Sequence, residues 1–327
     1  MFPVIDFHCD LLSYLVNVPG ADALNSEAIG CALPNLKSGD VKLQVLAVFT
    51  ATNPGSVENA SKQFDAYEQL CTDYKDWVYD AAKDLKIKNN DKAALVPAIE
   101  NASGILEEDE SLDLCFERLD VLLNRFNRLL YITITHHSEN RFGGGNYSDK
   151  GLKDDGKQLL KYLDSKQIAV DLSHTSDQMA FDILNTIDQS NLNVPVIASH
   201  SNMRAICDHP RNLPDELIEE LKRRNGFAGV NFVRAFLDND NDKIIFDHIA
   251  YAKKKNLPLV FGADFFSTSQ LNDPARLPYF FKSLSHAGQY PHILEEMQDR
   301  EFSEEDCYQL AFDNASKWLV SQGFAFE

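Results

Sequence analysis

The chain has 327 residues, 44% of them hydrophobic and 25% charged, proportions that suit a globular protein with a substantial core. Its 31 basic residues against 50 acidic ones leave a formal charge of −19, with no Lys/Arg stripe, so nucleic acid and anionic membrane are excluded as expected partners. Six cysteines lie scattered without a C-x-x-C pair, the N-terminus lacks the basic and apolar regions of a secretion signal, and no apolar run is long enough to span a bilayer; the cytoplasm is the expected compartment.

Taken in chain order, short apolar runs rich in β-formers recur as "PVIDFHC", "VKLQVLAVFT", "AALVPAIE", "LLYITITHH", "QIAVDLSH", "PVIASHS", "GFAGVNF" and "LPLVFGADF". Most are separated by segments with helical spacing, among them "ENASKQFDAYEQLCTDYKDWVYDAAKDL", "LDLCFERLDVLLNRFNRLL" and "NLPDELIEELKRRN", the last with Asn212 as its expected N-cap. Eight strands alternating with helices predict an α/β fold, a (β/α)8 barrel over about residues 3–266 of a single-domain chain. Residues 267–327, including "EEDCYQLAFDNASKWLV", predict extra helices packed over the outside.

Nearly every predicted strand ends in a residue with chemistry: His8 and Asp10, Glu100, His136, His174, His200, Asn231 and Asp264. In a barrel of this kind the C-terminal strand ends and the loops after them form the active-site face. Strand alternation puts Asp6, His8 and Asp10 on one face, where three titratable groups need a partner. His8 and Asp10 at the strand end can reach one metal ion at about 2 Å each. Asp6, one pleat deeper, is expected to orient a ligand from behind.

His174 and His200 close two neighbouring strands; either alone reads as a core or N-capping histidine, and the pair reads as a metal site. Glu100 has no basic neighbour in sequence, and its carboxylate can bridge two cations. Five ligands, one bridging, exceed what a single open tetrahedral zinc needs and suit two metals. Asp264 is the expected proton shuttle, against the plainer reading of a solvated loop carboxylate. Arg211 could clamp a substrate carboxylate, or pair with an acid at the start of the next helix.

Other motifs carry less. "FGGGNYS" lacks the phosphate-loop spacing and reads as a flexible loop. Asp171, Ser173 and His174 lie in one strand without a nucleophile elbow, and Cys9 is expected to pack on the face opposite His8. His137, His209, His248, His286 and His292 are expected to be structural or surface residues.

In this order, "VIDFHCD", "IENASGI", "YITITHH", "VDLSHTS", "PVIASHSNMRAICDHPRNLPDE", "GFAGVNF" and "FGADF" resemble the renal (membrane) dipeptidase family of zinc peptidases. The resemblance implies an amidohydrolase-type barrel with two zinc ions that hydrolyses dipeptides by metal-activated hydroxide, including dipeptides with a C-terminal D-residue. It implies His8 and Asp10 on one zinc, His174 and His200 on the other, and Glu100 and a water bridging both. It further implies His136 as an oxyanion stabiliser, Arg211 on the free carboxylate, Asp264 in proton transfer, and a homodimer. Three positions depart from the family pattern: Phe266 in "DFFS", His137 after "TH", and Val233 in "NFV". The alternatives are another amidohydrolase reaction on a lactone, phosphoester or amine, or a barrel that binds without turnover.

Overall fold

In the computed structural model, which describes residues 2–269, 271 and 276–327, all eight expected strands form. They are β1 (Val4–Cys9), β2 (Val41–Phe49), β3 (Ala93–Glu100), β4 (Tyr131–Thr133), β5 (Ala169–Asp171), β6 (Val196–Ile197), β7 (Ala228–Val230) and β8 (Leu259–Phe261). All pair in parallel in the order β6-β5-β4-β3-β2-β1-β8-β7. A single parallel bridge between Ala198 and Ala228 joins the two ends of that series and closes the ring. Closure leaves none of the eight barrel strands as a sheet edge.

Helices follow the strands as right-handed crossovers require. Asp154–Lys166 shows why they pack: Gly156, Leu159, Leu160 and Leu163 recur at helical spacing and are buried, while lysines and aspartates face out. After β5, Ser176 caps Asp177–Gln189 by accepting the Met179 N–H at 3.0 Å, with Asp177 in the first turn. Asn212 does not cap the following helix. That helix runs Asp215–Arg223 with Pro214 at its cap, and the Asn212 amide instead donates to the carbonyls of Cys207 and Phe236, both at 2.9 Å. The long segment read as helical through residue 85 stops at Asp73, because the β-favouring Val78–Asp80 stretch pairs with Ala93–Leu95 as an added strand.

The core has two layers. One lies between the strands and the helices; the other fills the barrel with Ile5, Phe7, Leu43, Val45, Ala94, Val96, Phe227 and Val260. The C-terminal segment is divided between them, which corrects the expectation of an outer coat. Tyr290, opening helix Tyr290–Asp299, packs outside on Phe261 and Phe232. Helix Asn314–Ser321 instead plugs the barrel end away from the site: Trp318 meets Phe7 and Phe227 edge-on at 5.6 and 5.3 Å. Trp318→Ala should therefore lower unfolding free energy by about 3–5 kcal/mol in denaturant titration, as a fully packed core aromatic does; a loss below about 1 kcal/mol would mean this end is not sealed by the tail. No helix among the described residues is long and apolar enough to cross a membrane.

Candidate metal centre

The strand C-termini bring the expected residues to one mouth. Register places Glu100 beside Phe49 on one side and Thr133 on the other, at the centre of the strand ends. Four imidazoles surround its carboxylate. His174 Nε2 lies 2.9 Å from Oε1, His200 Nε2 3.5 Å and His136 Nε2 3.8 Å, while His8 Nε2 lies 3.4 Å from Oε2. The rings of His8 and His200 stack with centroids 3.6 Å apart. His8, Glu100 and His200 hold their ligand atoms within 4.8 Å of one another, as do His8, Asp10 and Asp264. His8 Nε2, Asp10 Oδ1 and His200 Nε2 are buried without a hydrogen-bond partner. Unpaired buried polar atoms are costly, and here they converge with a donor set that suits a divalent transition metal. The residues fit such an ion.

Electrostatics say the same. Burial would lift the Glu100 carboxyl, but the His8 charge and the His174 and His200 contacts outweigh it and hold it well below the usual range. Asp10 is pushed up by burial and by the Glu100 charge. His8 is raised to about 9, because Glu100, Asp264 and Asp10 together overcome its burial. His174 and His200 are pushed well down by burial and by neighbouring cations, and so remain neutral donors of a lone pair. These are opposed titrations packed in one small volume, the arrangement that a bound dication would relieve.

Two residues of the cluster need unusual backbone. His174 and Asp264 both have φ of 63°, a left-handed conformation that a non-glycine residue adopts at some cost. Asp264 is held there by its own N–H to the His8 carbonyl (3.1 Å) and by Asn231 Nδ2, which donates to Oδ2 at 2.8 Å. Burial and Glu100 raise its carboxyl to about 6, against the pull of His8 and Arg211. Asn231, the polar end of β7, thus positions Asp264 and also donates to the His200 carbonyl at 3.3 Å.

Asp6 reaches His8 through its backbone, not its ring. A register irregularity between Asp6 and Cys9 interrupts the alternation of β1. Ile5 and Phe7 pack inside the barrel and Cys9 in the strand–helix layer, as expected for the cysteine. The Asp6 carboxylate accepts the backbone N–H of His8 (2.9 Å), that of Ala263 (3.4 Å) and the hydroxyl of Tyr290. It braces the irregular backbone and touches no ligand side chain. The partner of the His8 ring is Tyr131, whose hydroxyl lies 2.8 Å from Nδ1. Sequence reasoning passed over Tyr131; its signal was a phenol on the inward face of β4, where a buried O–H needs a partner.

Above the cluster lies a cavity of about 720 Å³ lined by Asp10, Glu100, His136, His174 and Asp264, and by Phe49, Tyr147, Phe236, Arg276 and Tyr279. His137, Val233 and Phe266, the three departures, all line it, and so does His209. The expectation that His137 and His209 are merely structural is therefore corrected for both; His248, which accepts the Met203 N–H at 3.1 Å, is structural. Burial keeps His136 and His137 neutral. Arg211 is buried, is not among the residues lining the cavity, and donates to Ser201 Oγ and the His200 carbonyl, both at 2.9 Å, leaving Nε unpartnered. Among the described residues it forms no ion pair with an acid at the helix start. "FGGGNYS" is no flexible loop: Gly143 and Gly145 bridge to Leu152 and Thr175. A Cβ on Gly145 would stand 2.0 Å from the His136 carbonyl, so the glycine lets this loop brace the His136–His137 backbone.

A closed parallel barrel with histidines and carboxylates gathered at its C-terminal mouth is the amidohydrolase type of metal barrel, and solved structures of that class share the fold. One is a dipeptidase with a TM-score of 0.79 and 18% identity, covering 99% of both chains. Another is a metallopeptidase from Rhodobacter sphaeroides bound to a phosphinate mimic of L-Ala-D-Ala (TM-score 0.77, 17% identity, 98% of this chain and 99% of that one). The family profile described as membrane dipeptidase (peptidase family M19) matches residues 1–321, and the chain belongs to that family. Among curated relatives, the dipeptidase verJ of Clonostachys rogersoniana is 29% identical over 179 residues, 51% of this chain and 45% of that protein. An uncharacterised protein of Acinetobacter calcoaceticus is 27% identical over 217 residues, 59% of this chain and 66% of that protein. The chain thus matches about two thirds or less of these curated relatives' own length.

Proposed function

We propose that the protein is a metal-dependent dipeptidase that holds two zinc ions, with His8 and Asp10 on one, His174 and His200 on the other and Glu100 bridging them. The observation that carries this reading is the convergence of four imidazole Nε2 atoms on one buried carboxylate, with His8, Asp10 and His200 left unpaired beside it. When bound, such ions supply a water of lowered pKa and an electrophile for the peptide carbonyl.

The chain's own groups do the rest. Neutral His136, at the cavity floor, donates a hydrogen bond to the carbonyl oxygen as negative charge develops on it. Asp264 has one oxygen tied to Asn231; the other takes the proton of the attacking water and delivers it to the departing amine. Arg211 attracts the C-terminal carboxylate through its unpartnered N–H. A cavity of about 720 Å³ closed below by the barrel suits a dipeptide rather than a protein chain. The mimic bound to the Rhodobacter protein supports including dipeptides with a C-terminal D-residue. No lysine lines the cavity among the described residues, which disfavours reactions that bridge their metals with a modified lysine.

Zinc-loaded protein assayed against L-L and L-D dipeptides should turn them over and stop on chelation. Asp264→Asn should lower kcat by roughly 10²–10⁴-fold with little change in KM, the signature of a lost proton transfer. Metal analysis should give two ions per chain in both proteins. Absence of turnover despite two bound ions would overturn the peptidase reading.

A further inference from the structure

Proton counting around the two buried histidines points past the ligands themselves. Tyr131 has one hydroxyl proton and two neighbours at 2.8 Å, the Phe7 carbonyl and His8 Nδ1. A carbonyl only accepts, so the hydroxyl proton goes to Phe7 and the phenol oxygen must accept from His8 Nδ1–H. Around His200 the logic repeats with different chemistry. Ser199 Oγ donates to Asp171 Oδ2 at 2.6 Å and meets His200 Nδ1 at 2.6 Å. Asp171 has no hydroxyl proton to offer in return, since its oxygens already accept from Thr133 Oγ1, Ser173 N and Ser199 N. His200 Nδ1 must therefore be the donor to Ser199.

We propose that Tyr131 and the Ser199–Asp171 pair are positioning residues that lock His8 and His200 with the proton on Nδ1, so that Nε2 alone faces Glu100 and is available to a divalent cation. Nδ1–H stays held whether Nε2 carries a proton or a metal, and both ring planes are set before any ion binds. The two relays come from β4 and from the strand-end residues of β5 and β6, and each holds one of the two stacked rings through its Nδ1. His174 lacks such a relay, its Nδ1 being buried without a partner, and is oriented by its left-handed backbone. The proposal rests on the metal-site reading above, and its test needs no substrate.

Protein labelled with nitrogen-15 at histidine should show His8 and His200 protonated at Nδ1, both metal-free and zinc-loaded. Tyr131→Phe should change the His8 signal and Ser199→Ala that of His200, each leaving the other in place. Zinc affinity, read by competition with a chelating dye, should weaken by roughly 10–100-fold in each variant. Ser199→Thr, which restores a hydroxyl, should recover most of the loss, whereas a general packing defect would not be rescued. Thr133→Ala removes a bond to Asp171 that touches no histidine and should weaken zinc binding less than Ser199→Ala. Unchanged histidine signals with zinc affinities equal to the parent would overturn the relays, whereas a parent protein that takes up no zinc would overturn the metal-site reading instead.

Discussion

Glu100→Gln is expected to take bound zinc from two ions per chain to one or fewer and to reduce dipeptide hydrolysis by at least roughly 10³-fold, equivalent to about 4 kcal/mol of transition-state stabilisation. The size follows from geometry. The two oxygens of Glu100 face different histidines, with His174, His200 and His136 toward Oε1 and His8 toward Oε2. An amide keeps the shape but replaces one oxygen with an N–H₂ group, which has no lone pair to give a cation. Loss of either neighbouring histidine should remove one ion, while loss of Glu100 should disturb both. Metal content by elemental analysis, with circular dichroism to confirm the fold, decides the matter; two ions retained at parental affinity would deny Glu100 its bridging place.

The second large effect concerns stability without metal. The chelated protein should be most stable near pH 6.5 and lose on the order of 3 kcal/mol as pH rises toward 9. His8 contributes to the alkaline limb, and the raised carboxyl of Asp10 acts in the same direction. The His8 pKa is raised from 6.5 to about 9 in the folded state, where Glu100, Asp264 and Asp10 overcome burial, so the native protein holds a proton that the unfolded chain releases. That contribution is fully present below pH 6.5 and lost through pH 9. The acid limb has the opposite origin. His136, His174 and His200 are held neutral by burial, their pKa values lying below the unfolded value, so their contribution is lost as pH falls below 6.5. Asp264, raised to about 6, offsets part of that loss between about pH 4 and 6, because its folded carboxyl binds a proton more tightly than the unfolded one. Zinc should reverse the alkaline trend, since it competes with the His8 proton and binds more tightly as pH rises. Denaturant unfolding of chelated and loaded protein from pH 6 to 9.5 tests this; an alkaline limb that persists undiminished in His8→Gln would assign it to another group.

Much of this was legible in the chain. β-rich runs alternating with helical spacing specified a parallel barrel, because sheets buried on both faces write continuous apolar strands. The ligand candidates could be read because a barrel gathers residues from all its strand ends at one mouth, so a polar residue closing each apolar run is informative without any knowledge of distance. The family resemblance rested on the same residues, and the profile match over residues 1–321 agrees with it.

What periodicity could not supply was direction at irregular backbone. Asp6, His8 and Asp10 are spaced to share a face, yet the irregularity in β1 turns Asp6 toward Tyr290 and leaves the two others at the mouth. Likewise, the π-helical turn Gln309–Asp313 and helix Asn314–Ser321 read as an amphipathic coat, but Trp318 finds the open end of the barrel, a surface that exists only once eight strands have closed. His137 and His209 carry no local mark that separates them from surface histidines; they line the cavity because loops after β4 and β6 converge there. The relay from Tyr131 to His8 spans 123 positions of sequence, and that from Asp171 to His200 runs through Ser199. Residue type and spacing determined the fold, the candidate residues at the strand ends and the family. Tertiary closure alone decided which face each polar group meets and which hydroxyl lies against His8 and His200, because both depend on contacts between strands whose separation in sequence carries no information about their separation in space.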